Sequence, residues 1–256
     1  MANTYSLDLE AGSSQYAYRA DTASLSLTGD CTFEFWILRE SININATILT
    51  KWRDSGTNKS YGLEINSNND IVMYISANGS AYTGGTFTLA NLTSTTNWYH
   101  IAIAYDASAG SAELYVNGTS IQTITGLPTS IYNSTEDFAI GRDWSYGQYY
   151  DGLIDEVRIW SDIRTAQEIV DNMSVQLVGN EAGLNAYWQF NNGYLDMTAN
   201  DNDLTAVNNP VFSTTVPFSG AVGPANLKSY NTNLKANIKT INTNLIANVK
   251  TLNTNA

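Results

Sequence analysis

Short apolar runs alternate with polar clusters through most of the chain. Residues 32–37, 71–75, 99–105 and 153–160 are the clearest runs, each rich in Val, Ile, Tyr, Phe or Trp. Apolar and other side chains tend to take turns along them, and that period of two marks a β-strand with one face buried. Asn68-Asn69-Asp70 and Asn117-Gly118 fall between such runs. They supply turns, because Asn, Asp and Gly adopt positive φ at little cost. Many short strands with regular turns predict an all-β fold, an antiparallel sandwich of two sheets. One short helix interrupts it. Thr165 and Glu168 have the capping-box spacing, and Ile169, Val170 and Met173 follow as an apolar stripe, so two or three helical turns are predicted there.

The pattern changes after residue 218. Ser219-Gly220-Ala221-Val222-Gly223-Pro224-Ala225 reads as a linker of small residues. Residues 226–256 then form a tail that repeats every eleven residues. Its apolar positions are Leu227, Tyr230, Leu234, Ile238, Ile241, Leu245, Val249 and Leu252, spaced 3-4-4-3-4-4-3. A helix would hold these on one stripe and, on association, supercoil right-handedly. The thrice-repeated Asn-Thr-Asn is poor helix material, so such a helix needs a partner. An extended tail added to a neighbour's sheet is the rival, and a tail without fixed structure is the third reading. Either ordered form implies a homo-oligomer, or docking on another subunit of an assembly.

Charge follows the same division. Residues 1–218 carry eight basic and 24 acidic side chains, a net of -16, whereas the rest carries four lysines and no acid. The total of -12 is an average over two unlike parts. So acidic a body is a poor nucleic-acid binder, since phosphate contacts need clustered Lys and Arg. Hydrophobic residues at 43% and aromatics at 11% exclude disorder over the whole length. No apolar stretch approaches the ~18–20 residues of a membrane span. Cys31, the one cysteine, excludes an internal disulfide framework. Met1-Ala2-Asn3-Thr4-Tyr5 begins neither basic nor apolar, so no secretory signal is visible.

Several segments, in order, resemble the laminin-G-like branch of the concanavalin A-like lectin/glucanase superfamily. Ser6-Leu7-Asp8-Leu9 with Gln15-Tyr16-Ala17 resembles its first strand pair, and Phe33-Glu34-Phe35-Trp36 its next recognisable strand. Asn97-Trp98-Tyr99-His100-Ile101-Ala102, Leu114-Tyr115-Val116-Asn117-Gly118 and Tyr150 through Trp160 are similar to three more of its signatures. Leu184 through Phe190, with Asp196, closes the series. The resemblance covers about residues 4–213. It implies a jelly roll whose terminal strands pair with each other. Members include lectins, adhesion modules, virion proteins and some glycosidases, so the fold leaves function open. The repeat tail is similar to tails of phage and other virion-type proteins.

Catalytic chemistry is hard to find in the sequence. Glycan cleavage needs two carboxylates facing one bond, which the superfamily's glucanases carry as Glu-x-Asp-x-Glu on one strand. No such triplet occurs, and adjacent Asp155 and Glu156 are expected on opposite faces of their strand. His100 has no Gly-x-Ser-x-Gly partner, and Cys31 begins an apolar strand; both read as structural. The protein is expected not to be an enzyme.

Two binding sites are candidates. Alternation places Asp155 on the core face with Leu153, Val157 and Ile159, where a carboxylate needs hydrogen bonds or a cation. With Asp196 and Asp201 from an Asn/Asp-rich loop it is a candidate set for a structural Ca²⁺; the alternative is a plain turn, with Asp155 capping backbone N–H groups. The second candidate is the aromatic loop 143–151, with Arg142, Trp144, Tyr146, Tyr149 and Tyr150 as ligand contacts. Rings that stack on sugar C–H faces beside hydrogen-bonding groups suit a glycan, although a subunit interface or local packing would use the same residues. Together these predict a non-catalytic, lectin-like protein of an extracellular or virion surface assembly, its head binding and its tail attaching. A secreted bacterial adhesin or carbohydrate-binding module is the alternative, and a glycosidase with an unfamiliar site the third.

Overall fold

The structure is a computed structural model that describes residues 2–219 except Trp144, Tyr146 and Asn192. The linker from residue 220 and the tail positions Leu227 to Leu252 lie outside the described residues, as do the two loop aromatics. Among the described residues fifteen strands follow in order: β1 (Ser6–Leu9), β2 (Tyr16–Arg19), β3 (Cys31–Arg39), β4 (Ala46–Trp52), β5 (Lys59–Ile65), β6 (Ile71–Ile75), β7 (Thr83–Phe87), β8 (Tyr99–Asp106), β9 (Ser111–Val116), β10 (Thr119–Thr125), β11 (Phe138–Ile140), β12 (Gly152–Trp160), β13 (Leu184–Trp188), β14 (Thr205–Val207) and β15 (Val211–Ser213). They make two antiparallel sheets, a sandwich of the jelly-roll kind. The first sheet runs β10-β9-β8-β3-β12-β1-β15 with β13 beside β12; the second runs β14-β2-β11-β4-β5-β6-β7. The terminal strands pair, Leu7 opposite Phe212, as the resemblance implies.

The alternation read from the sequence decides which side chains meet. Phe33, Phe35 and Ile37 of β3 and Ile101 and Ile103 of β8 turn inward, towards Leu63 and Ile65 of β5 and Ile71, Met73 and Ile75 of β6. Phe33 meets the Tyr61 ring at 5.2 Å, and Phe138 stacks on Trp188 at 5.3 Å. Removing this apolar surface from water is the main force holding the sheets together. Between β9 and β10, Asn117 (φ 51°) and Gly118 (φ 77°) form the tight turn with both central residues left-handed that matches strand twist. Cys31 is fully buried, and burial pushes its thiol pKa up, which leaves it inert.

Helix α1 (Ala166–Asn172) starts where the capping box placed it. The Thr165 hydroxyl accepts from Glu168 N–H, and the Glu168 carboxylate accepts from Thr165 N–H at 2.9 Å. Ile169 is buried on Ala102, Ala104 and Tyr115, while Val170 stays 45% exposed, so the apolar stripe is narrower than the sequence indicates. The helix lies on the outer side of the first sheet. With the segment after it, it covers β3 and β12, which are therefore buried on both faces.

Strand β12 departs from simple alternation. Ile154 pairs with Ile37 and Asp155 with Trp36; the register then shifts, and Arg158 pairs with Glu34. Glu156 takes the left-handed conformation (φ 52°) at this bulge, which is also where β12 exchanges β1 for β13 as its neighbour. The extra residue resets the faces. Ile154, Val157 and Ile159 enter the core, and Asp155 takes the outer face with Trp36, not the core face. Asp155 and Glu156 consequently sit on the same side and repel each other, rather than on opposite faces.

Candidate functional site

Two polar regions stand out, one on the outer face of each sheet. On the first sheet, Glu34, His100, Asp155, Glu156 and Arg158 are each no more than 1% exposed. Arg158 sits 3.0 Å from Glu156 and 3.6 Å from Glu34, and donates to the carbonyls of Asn172 and Val175 at 2.9 and 2.7 Å. Gln176 and the Tyr187 hydroxyl complete the shell of Glu156. His100 Nε2 lies 3.5 Å from Glu34. Burial pushes the His100 pKa down, while for Glu34 the His100 and Arg158 contacts outweigh burial and hold the carboxyl low. Burial and mutual repulsion raise Asp155. These acids have no access for a substrate; the region is a buried network that pins the helix and its following segment.

The calcium candidates separate. Asp155 accepts from Asn3 Nδ2 and from the N–H of Glu156, both at 2.8 Å. Asp196 takes Tyr187 N–H and Thr198 N–H on one oxygen, and Thr198 Oγ1, Asn202 N–H and Asn202 Nδ2 on the other. Asp201 is exposed and left-handed (φ 52°). Donors of the chain itself thus occupy oxygens of Asp155 and Asp196. The three acids lying within reach of one another, among the described residues, are Asp8, Glu10 and Glu40, with Asp151 near enough to raise Asp8 and Glu40 further after burial has done so.

The outer face of the second sheet is open. Across it, register aligns Tyr18, Ala139, Thr50, Gly62, Tyr74 and Gly84 in one transverse row. Glu64 stands in the next row, between Thr47 and Val72. Gly62 lacks a side chain in the middle of β5, and a glycine so placed lets another molecule approach the backbone closely. The result is a cleft of about 230 Å³ lined by Thr50, Trp52, Asp54, Gly62, Glu64, Tyr74, Tyr82, Asp143 and Gln148. Trp52, Tyr74 and Tyr82 form its aromatic wall, with centroids 5.1–6.2 Å apart and the Tyr82 ring edge-on to the other two. Asp54 accepts from the Trp52 indole N–H at 3.0 Å and meets Lys59 at 3.3 Å, which fixes the indole. Burial, then the nearby Asp143 charge, pushes Glu64 up to about 7, against hydrogen bonds from Tyr74 and Thr47.

The aromatic loop contributes differently from its sequence reading. Asp143 folds it by accepting the N–H groups of Ser145 (3.1 Å) and Gly147 (3.0 Å), and the Ser145 hydroxyl takes the N–H of Asp54 at 2.9 Å. Arg142 and Tyr149 form the loop's neck, bridged to each other and packed on Tyr16, with the guanidinium 4.7 Å from that ring. Tyr150 is in the hydrophobic core, its hydroxyl donating to the Leu38 carbonyl. From this loop Asp143 and Gln148 reach the cleft; Trp144 and Tyr146 lie outside the described residues. Sequence reasoning missed Trp52, Glu64, Tyr74 and Tyr82. The usable signals were Gly62 inside a strand, and polar or aromatic residues on one parity of β4 to β6.

A jelly-roll sandwich with an open, aromatic-lined face defines the class. The chain belongs to the concanavalin A-like lectin/glucanases superfamily, whose laminin-G profile matches residues 11–170. Among solved structures it is similar to a candidate carbohydrate-binding protein of Bacteroides ovatus, with a TM-score of 0.64 at 20% identity, covering 87% of this chain and 63% of that one. The chain thus spans under two thirds of that protein's length. It is also similar to a heptameric pentraxin of Limulus polyphemus, with a TM-score of 0.51 at 11% identity over 77% of this chain and 94% of that one. A comparison with curated protein sequences gives no match. No helix among the described residues is long and apolar enough to cross a membrane.

Proposed function

We propose that the protein is a non-catalytic, lectin-like binding protein of an extracellular or virion surface assembly. Its sandwich holds a glycan in the cleft of the second sheet, and its repeat tail attaches it to copies of itself or to another subunit. The observation that carries the binding half is the cleft: an aromatic wall of Trp52, Tyr74 and Tyr82 above a bare glycine floor, with Thr50, Glu64 and Gln148 beside it. Rings receive the C–H face of a sugar while the polar groups fix its hydroxyls. Gln148 Oε1, buried and with no partner among the described residues, is one acceptor open to a ligand hydroxyl. The shared fold with the Bacteroides ovatus protein agrees with this reading.

Hydrolysis would require two of the cleft acids Asp54, Glu64 and Asp143 as the acid and base pair, and Asp54 is already held by Lys59 at 3.3 Å and by the Trp52 indole N–H at 3.0 Å. Asp143 is 4% exposed and spends one carboxylate oxygen on two backbone N–H groups that shape the loop. A holding site suits this geometry better than a cutting one. Calorimetry of the full chain against glycans selected on an array tests it: Trp52→Ala lowers affinity at least 30-fold, about 2 kcal/mol, and no reducing ends are released on prolonged incubation. Unchanged affinity in Trp52→Ala sinks the cleft reading. Light scattering tests the tail, and a monomeric mass removes self-assembly.

A further inference from the structure

The cleft's charge is one-sided. Of the nine lining residues among those described, Asp54, Glu64 and Asp143 are acids and none is Lys or Arg. Lys51, Arg53, Arg142 and Arg158 are engaged elsewhere. Lys51 is buried 2.6 Å from Asp21, Arg53 is 2.8 Å from Glu136, Arg158 lies in the buried network and Arg142 packs on Tyr16. Lys59 comes nearest, beside Trp52 with its ammonium 5.9 Å from the ring centre, and meets Asp54 at 3.3 Å. The groups facing Glu64 are Asp143, Asp54 and the hydroxyls of Tyr74 and Thr47, so its charged neighbours are both acids.

Resting on the glycan-binding reading above, we infer that the cleft selects an amino sugar in its ammonium form, with Glu64 as the principal counterion and the aromatic wall beside it. An ammonium group has three donors and no acceptor, which matches a cleft rich in carboxylate and amide oxygens. The faces of Trp and Tyr attract cations as well as sugar C–H groups. A uronate or sialic acid meets like charge in the same place. The neutral N-acetyl form offers one N–H and brings an acceptor carbonyl into surroundings of acceptors.

Proton linkage makes the inference measurable. An ammonium beside Glu64 favours its carboxylate form, so binding below neutral pH expels the proton that the empty cleft holds. The probes are glucosamine, N-acetylglucosamine and galacturonate tetramers, titrated calorimetrically into the full chain in buffers of different ionisation enthalpy. We expect the glucosamine tetramer to bind at least tenfold tighter than the other two. At pH 6.0 it should release close to one proton per site, and its affinity should rise about tenfold between pH 5.5 and 6.5. Glu64→Gln should abolish the proton release and collapse the preference, and Trp52→Ala should lose binding of the glucosamine tetramer. If a neutral or acidic tetramer binds as tightly or tighter and is lost with Trp52→Ala, the ammonium inference falls while the glycan cleft stands. If glucosamine binding ignores both substitutions, it is ionic adsorption to an acidic surface and the inference falls. If no tetramer binds, and the array is also blank, both readings fall.

Discussion

The outer faces of the two sheets both carry acids, and they treat them in opposite ways. Under helix α1, Glu34 and Glu156 share Arg158, and the guanidinium is held in turn by carbonyls of the covering segment. On the second sheet, Glu64 stands at an open cleft among other acids, and burial with Asp143 holds it near neutrality in pKa. The closed face gives Glu34 and Glu156 a shared cation, gives Asp155 hydrogen bonds from Asn3 and a backbone N–H, and excludes solvent. The open face leaves an electrostatic need that a ligand can meet. A site is better recognised by unmet need than by the number of charged residues, since the closed face has more of them.

Breaking the closed face should have the largest effect. Arg158→Leu strands Glu34 and Glu156 without a countercharge and frees the carbonyls of Asn172 and Val175. Removing one partner of a buried pair costs about 3–5 kcal/mol, and denaturant unfolding should show a loss of that size. A loss below 1 kcal/mol would falsify the claim that this network pins the helix.

On the open face the effect should be smaller and of opposite sign. Glu64 is raised from its ordinary 4.5 to about 7 in the folded protein. Its contribution to stability is therefore complete below pH 4.5 and is lost as pH rises through 7. Above pH 7.5, Glu64→Gln should stabilise the protein by about 1–3 kcal/mol, and below pH 4.5 it should change little. His100 on the closed face works the other way. Its pKa is depressed by burial, so the stability it contributes is present above pH 6.5 and is lost as the unfolded chain takes up protons below that. Stability curves of the wild type, Glu64→Gln and His100→Gln between pH 4.5 and 8.5 should resolve the two slopes. Equal flattening by both variants would show that the faces do not differ in this respect.

The same contrast explains what could be read from the sequence. Strands β3, β6, β8 and β12, the Asn117-Gly118 turn and the Thr165–Glu168 cap were legible because each is written in neighbouring residues. The orientation of Asp155 was not, because the bulge that turns it rests on Glu156, a left-handed residue without the glycine that usually betrays one. The cleft was half legible. Its loop shows as a dense aromatic run, but Trp52, Glu64 and Tyr74 come from three strands and meet only through sheet register. Local density therefore drew attention to Arg142, Tyr149 and Tyr150, which pack at the neck or in the core.

The smallest expected effect tests whether the two faces are independent. Thr165 caps the helix that closes the first face, its hydroxyl accepting from Glu168 N–H while Glu168 returns the bond to Thr165 N–H. Arg164 also reaches Glu168, at 3.1 Å. Thr165→Ala removes both hydroxyl bonds, the one accepted from Glu168 N–H and the one donated to the Glu168 carboxylate, and should cost about 1 kcal/mol, with faster amide exchange confined to residues 166–172. The helix and the cleft lie on opposite outer sides of the sandwich, separated by the packed core. A loosened helix should therefore leave affinity at the Trp52 wall within twofold of the wild type. A larger change in affinity would mean that strain crosses the core between the sheets, and the division into a structural face and a binding face would have to be given up.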